Sequence, residues 1–207
     1  MYESYDTVLA QAQDEYIEKR SRFIGTICPV ENEKDIQDFL AKQRTLHKDA
    51  NHNCYAYILK DFGRMRYSDD GEPHGTAGMP ILEVLKREGI VNVMVVVTRY
   101  FGGTLLGAGG LIRAYAHSAK IALDAAKRVK MCMCTLFMLE CSYQMYERVQ
   151  LLLQAHDVLI LDTDFGADVT FQVRIRSDKV EGLSAELSEL SNGQSEIAVM
   201  GEEFAPL

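Results

Sequence analysis

The side chains best suited to chemistry are concentrated in residues 66 to 80. Asp69, Asp70, Glu72 and His74 lie there within six residues, and carboxylates beside an imidazole can bind a divalent cation or transfer protons. The alternative is an ordered loop whose carboxylates accept hydrogen bonds from backbone N–H groups. Both interpretations stay open. The candidate binding residues of this segment are Arg66, Ser68, Asp69, Asp70, Glu72, His74, Gly75 and Thr76.

A second candidate segment, residues 99 to 115, places five glycines within nine residues directly after an apolar run. Because glycine has no Cβ, it lets the backbone come close to another backbone or to a ligand. Free N–H groups at the start of the following helix could hold a phosphate or a carboxylate. The alternative, tight packing of the helix on a sheet, is favoured because the turn contains no catalytic side chain. The candidate residues are Arg99, Tyr100, Gly102, Gly103, Gly107, Gly109, Gly110 and Arg113.

Established motifs for nucleotides and metals do not fit these segments. A P-loop requires lysine and a hydroxyl residue where Ala108 and Gly109 stand, and a dinucleotide fingerprint requires glycine at Ile112. His47 and His52, together with a cysteine at 54, do not have the spacing of a zinc finger. We therefore predict no metal and no cofactor.

The elements that must position these residues form two successive patterns. Apolar periodicity predicts strands at 7–13 and 23–30, a helix from Asn32 to Leu46, a strand at 53–59, a helix at 80–88, a strand at 91–98 and a helix at 106–128. Residues 14–22 form a turn or a third strand. The remainder predicts strands at 131–141, 157–164, 168–176 and 195–201 and helices at 144–155 and 178–191, the split βαββαβ pattern. We expect the domain boundary near residue 130.

Four motifs in this chain resemble those of the YigZ/IMPACT family: Lys19–Ile24, His47–Cys54, Ser68–Gly78 and Arg99–Tyr115. The resemblance implies an α+β protein with two domains. Residues 1–130 would have the ribosomal protein S5 domain 2-like fold, and residues 131–207 would be a ferredoxin-like βαββαβ domain. This arrangement is similar to the last two domains of elongation factor G. The resemblance therefore also implies a part in the regulation of translation.

Charge differs between the two predicted domains. Residues 1–130 contain 18 Lys and Arg against 17 Asp and Glu, whereas residues 131–207 contain 4 against 13. Because counterion release at phosphates drives nucleic-acid binding, any RNA should bind to the N-terminal domain. The apolar run at 91–98 is too short to cross a bilayer, and five cysteines, an odd number, indicate reduced thiols. We expect a cytoplasmic protein with no membrane contact and no DNA sequence recognition.

The favoured function is a non-enzymatic, translation-linked regulatory protein. Its glycine-rich face, with Arg66, Arg99 and Arg113, would bind RNA, the ribosome or a protein partner. The alternative is an enzyme acting on a phosphorylated or carboxylated small molecule, with residues 69 to 74 supplying acid–base or metal chemistry. Both functions require that the two candidate segments meet in space, which we predict because both flank apolar strands of one sheet.

Overall fold

The chain forms two compact units, each with mixed α and β structure. The computed structural model describes residues 4–60, 63–193, 195 and 197–207. One unit is Tyr5–Val129, and the other contains Ser4 with Lys130–Leu207.

The N-terminal unit is built around a five-stranded antiparallel sheet. Its elements are β1 Tyr5–Val8, β2 Ala12–Glu18, β3 Ser21–Pro29, α1 Glu33–Leu46, β4 His52–Ile58, β5 Met65–Ser68, α2 Gly78–Arg87, β6 Val93–Tyr100 and α3 Ala108–Ala125. The sheet has the strand order β2-β3-β6-β4-β5, and each neighbouring pair is antiparallel.

Strand β6 lies at the centre of this sheet and is buried on both faces. Val95 and Val97 pack in one cluster with residues of α2 and α3, while Met94 and Val96 pack in a second cluster with residues of α1. A strand covered on both faces is apolar at every position, which explains the continuous run at residues 91–98. The helices therefore lie on opposite faces, α2 and α3 on one and α1 on the other.

Helix α1 begins where the sequence predicts. Asn32 Oδ1 accepts hydrogen bonds from the N–H groups of Lys34 at 2.9 Å and Asp35 at 3.1 Å. The Asp35 carboxylate in turn accepts from the Asn32 N–H at 3.2 Å. This reciprocal capping box satisfies N–H groups that have no partner inside the helix.

Two strands of the N-terminal unit differ from the prediction. The predicted strand 7–13 is wrong, because β1 ends at Val8 and a separate β2 continues through charged residues to Glu18. As an edge strand, β2 keeps its charged residues at least partly exposed to solvent, while Ala12 and Tyr16 pack against the core and the backbone pairs with β3. The short strand β5 was not predicted, and it pairs only with β4 at the other sheet edge.

The C-terminal unit has the predicted βαββαβ order. Its elements are β7 Arg128–Cys141, α4 Tyr146–Ala155, β8 Leu159–Phe165, β9 Val169–Arg176, a short 3-10 helix Ser177–Lys179, α5 Val180–Ser191 and β10 Ile197–Pro206. The strand order β10-β7-β9-β8, antiparallel throughout, is that of a ferredoxin-like sheet. The predicted two-domain α+β fold class is thus confirmed.

The last strand is longer than the sequence suggests. Of the predicted strand 195–201, residue 196 lies outside the described residues, and β10 continues to Pro206 because it pairs along β7 as far as Met131. In the parts of the chain that the structure describes, no helix is long and apolar enough to span a membrane.

Candidate functional site

Asp69 in the loop between β5 and α2 is a structural residue. Its Oδ1 accepts hydrogen bonds from the N–H groups of Ala77 at 3.1 Å and Gly78 at 2.8 Å, and its Oδ2 accepts from Gly75 at 2.9 Å. Ala77, the residue that precedes α2, has no side-chain acceptor of its own. The Asp69 carboxylate therefore caps α2 from eight residues upstream, and a negative charge at that helix end is favourable.

Asp70 also stabilises the loop through hydrogen bonds. Its Oδ2 accepts from the Asn53 N–H at 2.6 Å, its Oδ1 lies 3.3 Å from Arg44 Nη2, and its carbonyl oxygen bonds His52 Nδ1 at 2.8 Å. Ser68 Oγ accepts from the Asp70 N–H at 3.2 Å, which ties the start of the loop together.

The remaining polar residues of the loop do not complete a metal site. Thr76 Oγ1 donates to the Pro73 carbonyl at 2.6 Å. The His74 side chain is 94% exposed and lies 3.8 Å from Asp69 Oδ2. Within the described residues, no three His, Cys, Asp or Glu side chains are grouped so that they could hold a metal ion.

Glu72 is the one loop carboxylate that faces inward. Its Oε1 accepts from Arg99 Nη1 at 2.6 Å and from the Tyr115 hydroxyl at 2.7 Å, and His52 Nε2 lies 3.9 Å away. Arg99 is 5% exposed, and its Nη2 lies 3.4 Å from Ser21 Oγ. Glu72 thus joins the two candidate segments through a buried ion pair.

Burial keeps the Tyr115 hydroxyl protonated. Burial first, and then the neighbouring Cys54 and Glu72, raise the pKa of Tyr115. The phenol therefore remains a hydrogen-bond donor to Glu72.

One nitrogen of the Arg99 guanidinium is not used in this network. The Arg99 Nε is buried and has no hydrogen-bond partner among the described residues.

The glycines of the turn have different reasons to be glycine. At Gly102 a Cβ would overlap the backbone of Arg20, and at Gly110 it would lie 3.0 Å from Leu106 Cβ. Gly103 and Gly107 have positive φ angles, 83° and 72°, which favour glycine. Four of the five glycines are therefore explained by packing or by backbone conformation.

Neither packing nor a positive φ angle explains the glycine at position 109. It lies in the first turn of α3, and the nearest atom to a Cβ added there would be Arg113 Nη1 at 3.9 Å. Helix α3 has no side-chain cap and no acidic residue in its first turn. Its first N–H groups therefore lack the side-chain acceptors that α1 and α2 have, and such helix ends favour anions.

The two segments meet at one cavity of about 400 Å³, which confirms the prediction that they come together. We call it the Glu72 cavity. Its lining residues are Asn51, His52, Glu72, Pro73, Arg99, Phe101, Leu105, Leu106, Gly107, Ala108 and Leu111. A second cavity of about 460 Å³, the Arg113 cavity, lies on another side of the α3 N-terminus. It is lined by Tyr16, Glu18, Lys19, Leu106, Gly110, Arg113, Ala114, Ala116 and His117.

The three predicted arginines do not share one surface. Arg66 pairs across the strands with Tyr57, whose ring packs in the cluster on the α1 face. Arg99 is buried beside Glu72, while Arg113 is exposed and lines the second cavity. Tyr100 hydrogen-bonds His47 Nδ1 at 2.9 Å and does not line either cavity. Strand alternation decides the positions of Arg99 and Tyr100, since neighbouring residues face opposite sides of the sheet, whereas Arg113 lies on helix α3.

Several lining residues lie outside the predicted candidate set, and two of them, His52 and Lys19, are polar residues of the sequence motifs. His52 lines the Glu72 cavity, and Lys19 lines the Arg113 cavity. Lys19 and its neighbour Arg20 form the turn between β2 and β3, with φ angles of 45° and 68°. Both His52 and Lys19 belong to the motifs that carry the family resemblance. Membership in those motifs is the sequence signal that could have identified them.

Comparison with known proteins gives a consistent result. The chain matches a family model described as the Impact N-terminal domain over residues 19–123 and one described as a domain of unknown function, DUF1949, over residues 139–194. Both candidate segments fall within the first match. A solved crystal structure of a hypothetical protein is 32% identical, with a TM-score of 0.61, and the match covers 97% of this chain and 99% of that one.

Curated relatives cover most of the chain. The IMPACT family member YvyE of Bacillus subtilis is 35% identical over 95% of this chain and 91% of that protein. The IMPACT family member YigZ of Escherichia coli is 34% identical over 89% of this chain and 92% of that protein. The Protein IMPACT of Rattus norvegicus is 35% identical over 44% of this chain and 30% of its own length.

Proposed function

We propose, from the premise that this chain belongs to the IMPACT family, that it is a translation-linked regulatory protein that binds RNA. The contact would be made by the glycine-rich face of the N-terminal unit, and the protein would carry out no reaction of its own. The link to translation rests on the family resemblance. The RNA contact rests on the geometry around the start of α3.

Gly109 is the observation that carries the proposal. A glycine inside a helix costs roughly 0.5–1 kcal/mol relative to alanine, and neither packing nor φ requires it here. A close approach of a ligand to the first turn of α3 would explain it. Free N–H groups at a helix start, beside an arginine, suit a phosphate group.

The cations around this turn favour a polyanionic ligand. Lys19, Arg20 and Arg113 are exposed, and we call them the basic face. Lys19 and Arg113 line the same cavity, while the packing of Gly102 against the Arg20 backbone holds the β2–β3 turn beside the glycine turn. Lysine, arginine and helix N-termini are the groups that contact nucleic-acid phosphates.

An exposed aromatic ring beside the turn favours RNA in single-stranded form. Phe101 is 44% exposed, and its ring centroid lies 5.4 Å from Cζ of the buried Arg99. Unpaired bases stack on such rings, and the stacking is largely independent of sequence. The C-terminal unit, with 4 basic and 13 acidic residues in 131–207, would repel RNA.

A salt series with matched variants tests the proposal. Binding of a fluorescein-labelled single-stranded RNA dodecamer of mixed sequence is followed by anisotropy at increasing KCl. The double variant Lys19→Gln/Arg113→Gln should bind more weakly, and its slope of log affinity against log salt should fall by about 1.4, since each single-strand phosphate contact contributes about 0.7.

The control removes the same charge from another face. Lys34 and Lys42 are exposed on α1, across the sheet from α3. Lys34→Gln/Lys42→Gln should leave the salt slope unchanged. Absence of RNA binding by the wild-type protein, or equal losses in the two double variants, would contradict the proposal.

A further inference from the structure

The Arg113 cavity contains a carboxylate beside the cations that we assign to RNA phosphates. Glu18 lines it together with Lys19 and Arg113. Neither cation forms an ion pair with another residue in the described parts of the chain, so Glu18 does not neutralise them through a direct contact. A negative charge in a phosphate-binding cavity weakens the attraction for the phosphate. The presence of Glu18 therefore requires a role other than phosphate binding.

The turn that carries Lys19 indicates that the charges of this cavity have a function. The last residue pair of β2 and β3 is Glu18 with Ser21, so Lys19 and Arg20 are the two central residues of a tight hairpin. Both have positive φ angles, 45° and 68°, which are typical of a turn that favours Asn-Gly. Residues with a Cβ are strained in this conformation, and strained residues cluster at binding sites. The strain is explained if the turn presents two cations directly after Glu18.

Glu18 is held in place but keeps an unused acceptor. The Tyr16 hydroxyl donates to Glu18 Oε2 at 2.6 Å, since the two side chains share one face of β2. The Tyr16 ring is fixed by the core and by the His117 ring of α3, with 4.5 Å between the ring centroids. Glu18 Oε1 accepts no hydrogen bond from the described residues, and it has accessible surface. This oxygen is therefore available to a ligand in the cavity.

A ribose hydroxyl is the group of a nucleotide that suits this acceptor. A phosphate that contacts Lys19 and Arg113 places its own ribose in the same cavity, whose volume of about 460 Å³ falls in the range of small-molecule sites, roughly 300–1,000 Å³. A carboxylate repels phosphate oxygens, but it accepts a strong hydrogen bond from a hydroxyl. The 2′-hydroxyl is also the group by which a protein distinguishes RNA from DNA.

We infer that Glu18 binds the 2′-hydroxyl of an RNA nucleotide whose phosphate contacts Lys19 and Arg113, an inference that rests on the proposed function. The hydroxyl donates to Glu18 Oε1, while Tyr16 occupies Oε2 and fixes the orientation of the carboxylate. A deoxyribose makes no such hydrogen bond, yet its phosphate is still repelled by the carboxylate. Glu18 therefore acts against DNA as well as in favour of RNA.

Anisotropy with three dodecamers that differ only in the sugar tests the inference. All have the mixed sequence used above with uracil in place of thymine, and they carry ribose, deoxyribose or 2′-fluororibose. The fluorinated sugar keeps the conformation of ribose but has no hydroxyl donor. Wild-type protein should bind the ribose dodecamer about tenfold more tightly than either of the others, as expected for one hydrogen bond to a charged acceptor.

Two variants separate the hydroxyl contact from the charge. Glu18→Ala should bind the three dodecamers equally, and it should bind the deoxyribose dodecamer at least as tightly as the wild type does, because a negative charge has been removed. Glu15→Ala removes the same charge from the opposite face of β2, where Glu15 bonds Arg22 at 2.7 Å. This control should keep the preference for ribose.

A measurement on the wild-type chain does not depend on how the variants fold. The ring resonances of His117, which lines the cavity, are followed by NMR during titration with uridine or deoxyuridine 5′-monophosphate. The ribonucleotide should shift them at lower concentration. Equal affinity of the wild type for the ribose and 2′-fluororibose dodecamers, a preference that Glu18→Ala retains, or equal titrations would overturn the inference and leave RNA binding intact. Failure of the wild type to bind any of the three dodecamers would instead overturn the proposed function.

Discussion

Replacing Gly109 by alanine should stabilise the protein and weaken RNA binding at the same time. The new Cβ would have Arg113 Nη1 as its nearest neighbour at 3.9 Å, an ordinary van der Waals distance. Because Gly109 is helical, alanine should raise the free energy of unfolding by about 0.5–1 kcal/mol. The methyl group would occupy space between the first turn and Arg113. Losing one hydrogen bond to a phosphate there, about 1.5 kcal/mol, would weaken binding about tenfold.

Urea denaturation measures the stability change, and anisotropy with the mixed-sequence RNA measures the affinity change. The matched control is Gly182→Ala in α5, where the nearest atom to the new Cβ would be His156 Cε1 at 4.0 Å. This variant should gain similar stability in the C-terminal unit and bind RNA as the wild type does. A loss of stability in Gly109→Ala would show that packing requires the glycine. An unchanged affinity would refute ligand approach as its explanation.

Three further predictions concern the surroundings of the site. Gly102→Ala should lower the free energy of unfolding by about 1–3 kcal/mol in urea, because its Cβ would overlap the adjoining β2–β3 turn; a neutral effect would show that the turn can move away. Glu72→Gln should lower the free energy of unfolding by about 3–5 kcal/mol, because it leaves Arg99 buried without its counter-ion. Glu83→Gln, in an exposed ion pair, should lower it by at most about 1 kcal/mol. Equal losses in urea denaturation would contradict this prediction. Burial, and secondarily a nearby arginine, lower the pKa of His47 below its usual 6.5. His47 therefore binds a proton more readily in the unfolded chain than in the folded one. The free energy of unfolding should fall as pH drops through 6.5 toward the folded pKa. In His47→Gln this part of the decrease should be absent. Identical pH profiles of the urea midpoint for the wild type and the variant would disprove the contribution of His47.

Local patterns made much of the fold predictable. The cap of α1 was predictable from Asn32, because a capping box uses only residues within one helical turn. The βαββαβ order of the C-terminal unit was predictable because each element buries one face and so shows its own periodicity. Strand β5 was missed, since four residues at a sheet edge bury too little to leave such a pattern.

The site was predictable as a pair of segments, but not residue by residue. The types and spacing of Asp69, Asp70 and Glu72 are equally compatible with capping and with acid–base chemistry. The structure separates them, because Asp69 caps α2 and Asp70 bonds the start of β4, while Glu72 turns inward to Arg99. Backbone N–H groups that need acceptors are distributed by the tertiary fold and not by the neighbouring sequence.

Local composition and periodicity were therefore enough to predict most of the elements in their order and the uneven charge of the two halves. The partners that meet in the site follow from the folded chain alone. Glu72 bonds Arg99 and Tyr115, which are 27 and 43 residues away in the sequence. Gly102 packs against the Arg20 backbone, whereas no close contact requires glycine at position 109. Contacts between residues so far apart depend on strand register and on which face of the sheet each helix covers, and these are set by the packing of the whole unit.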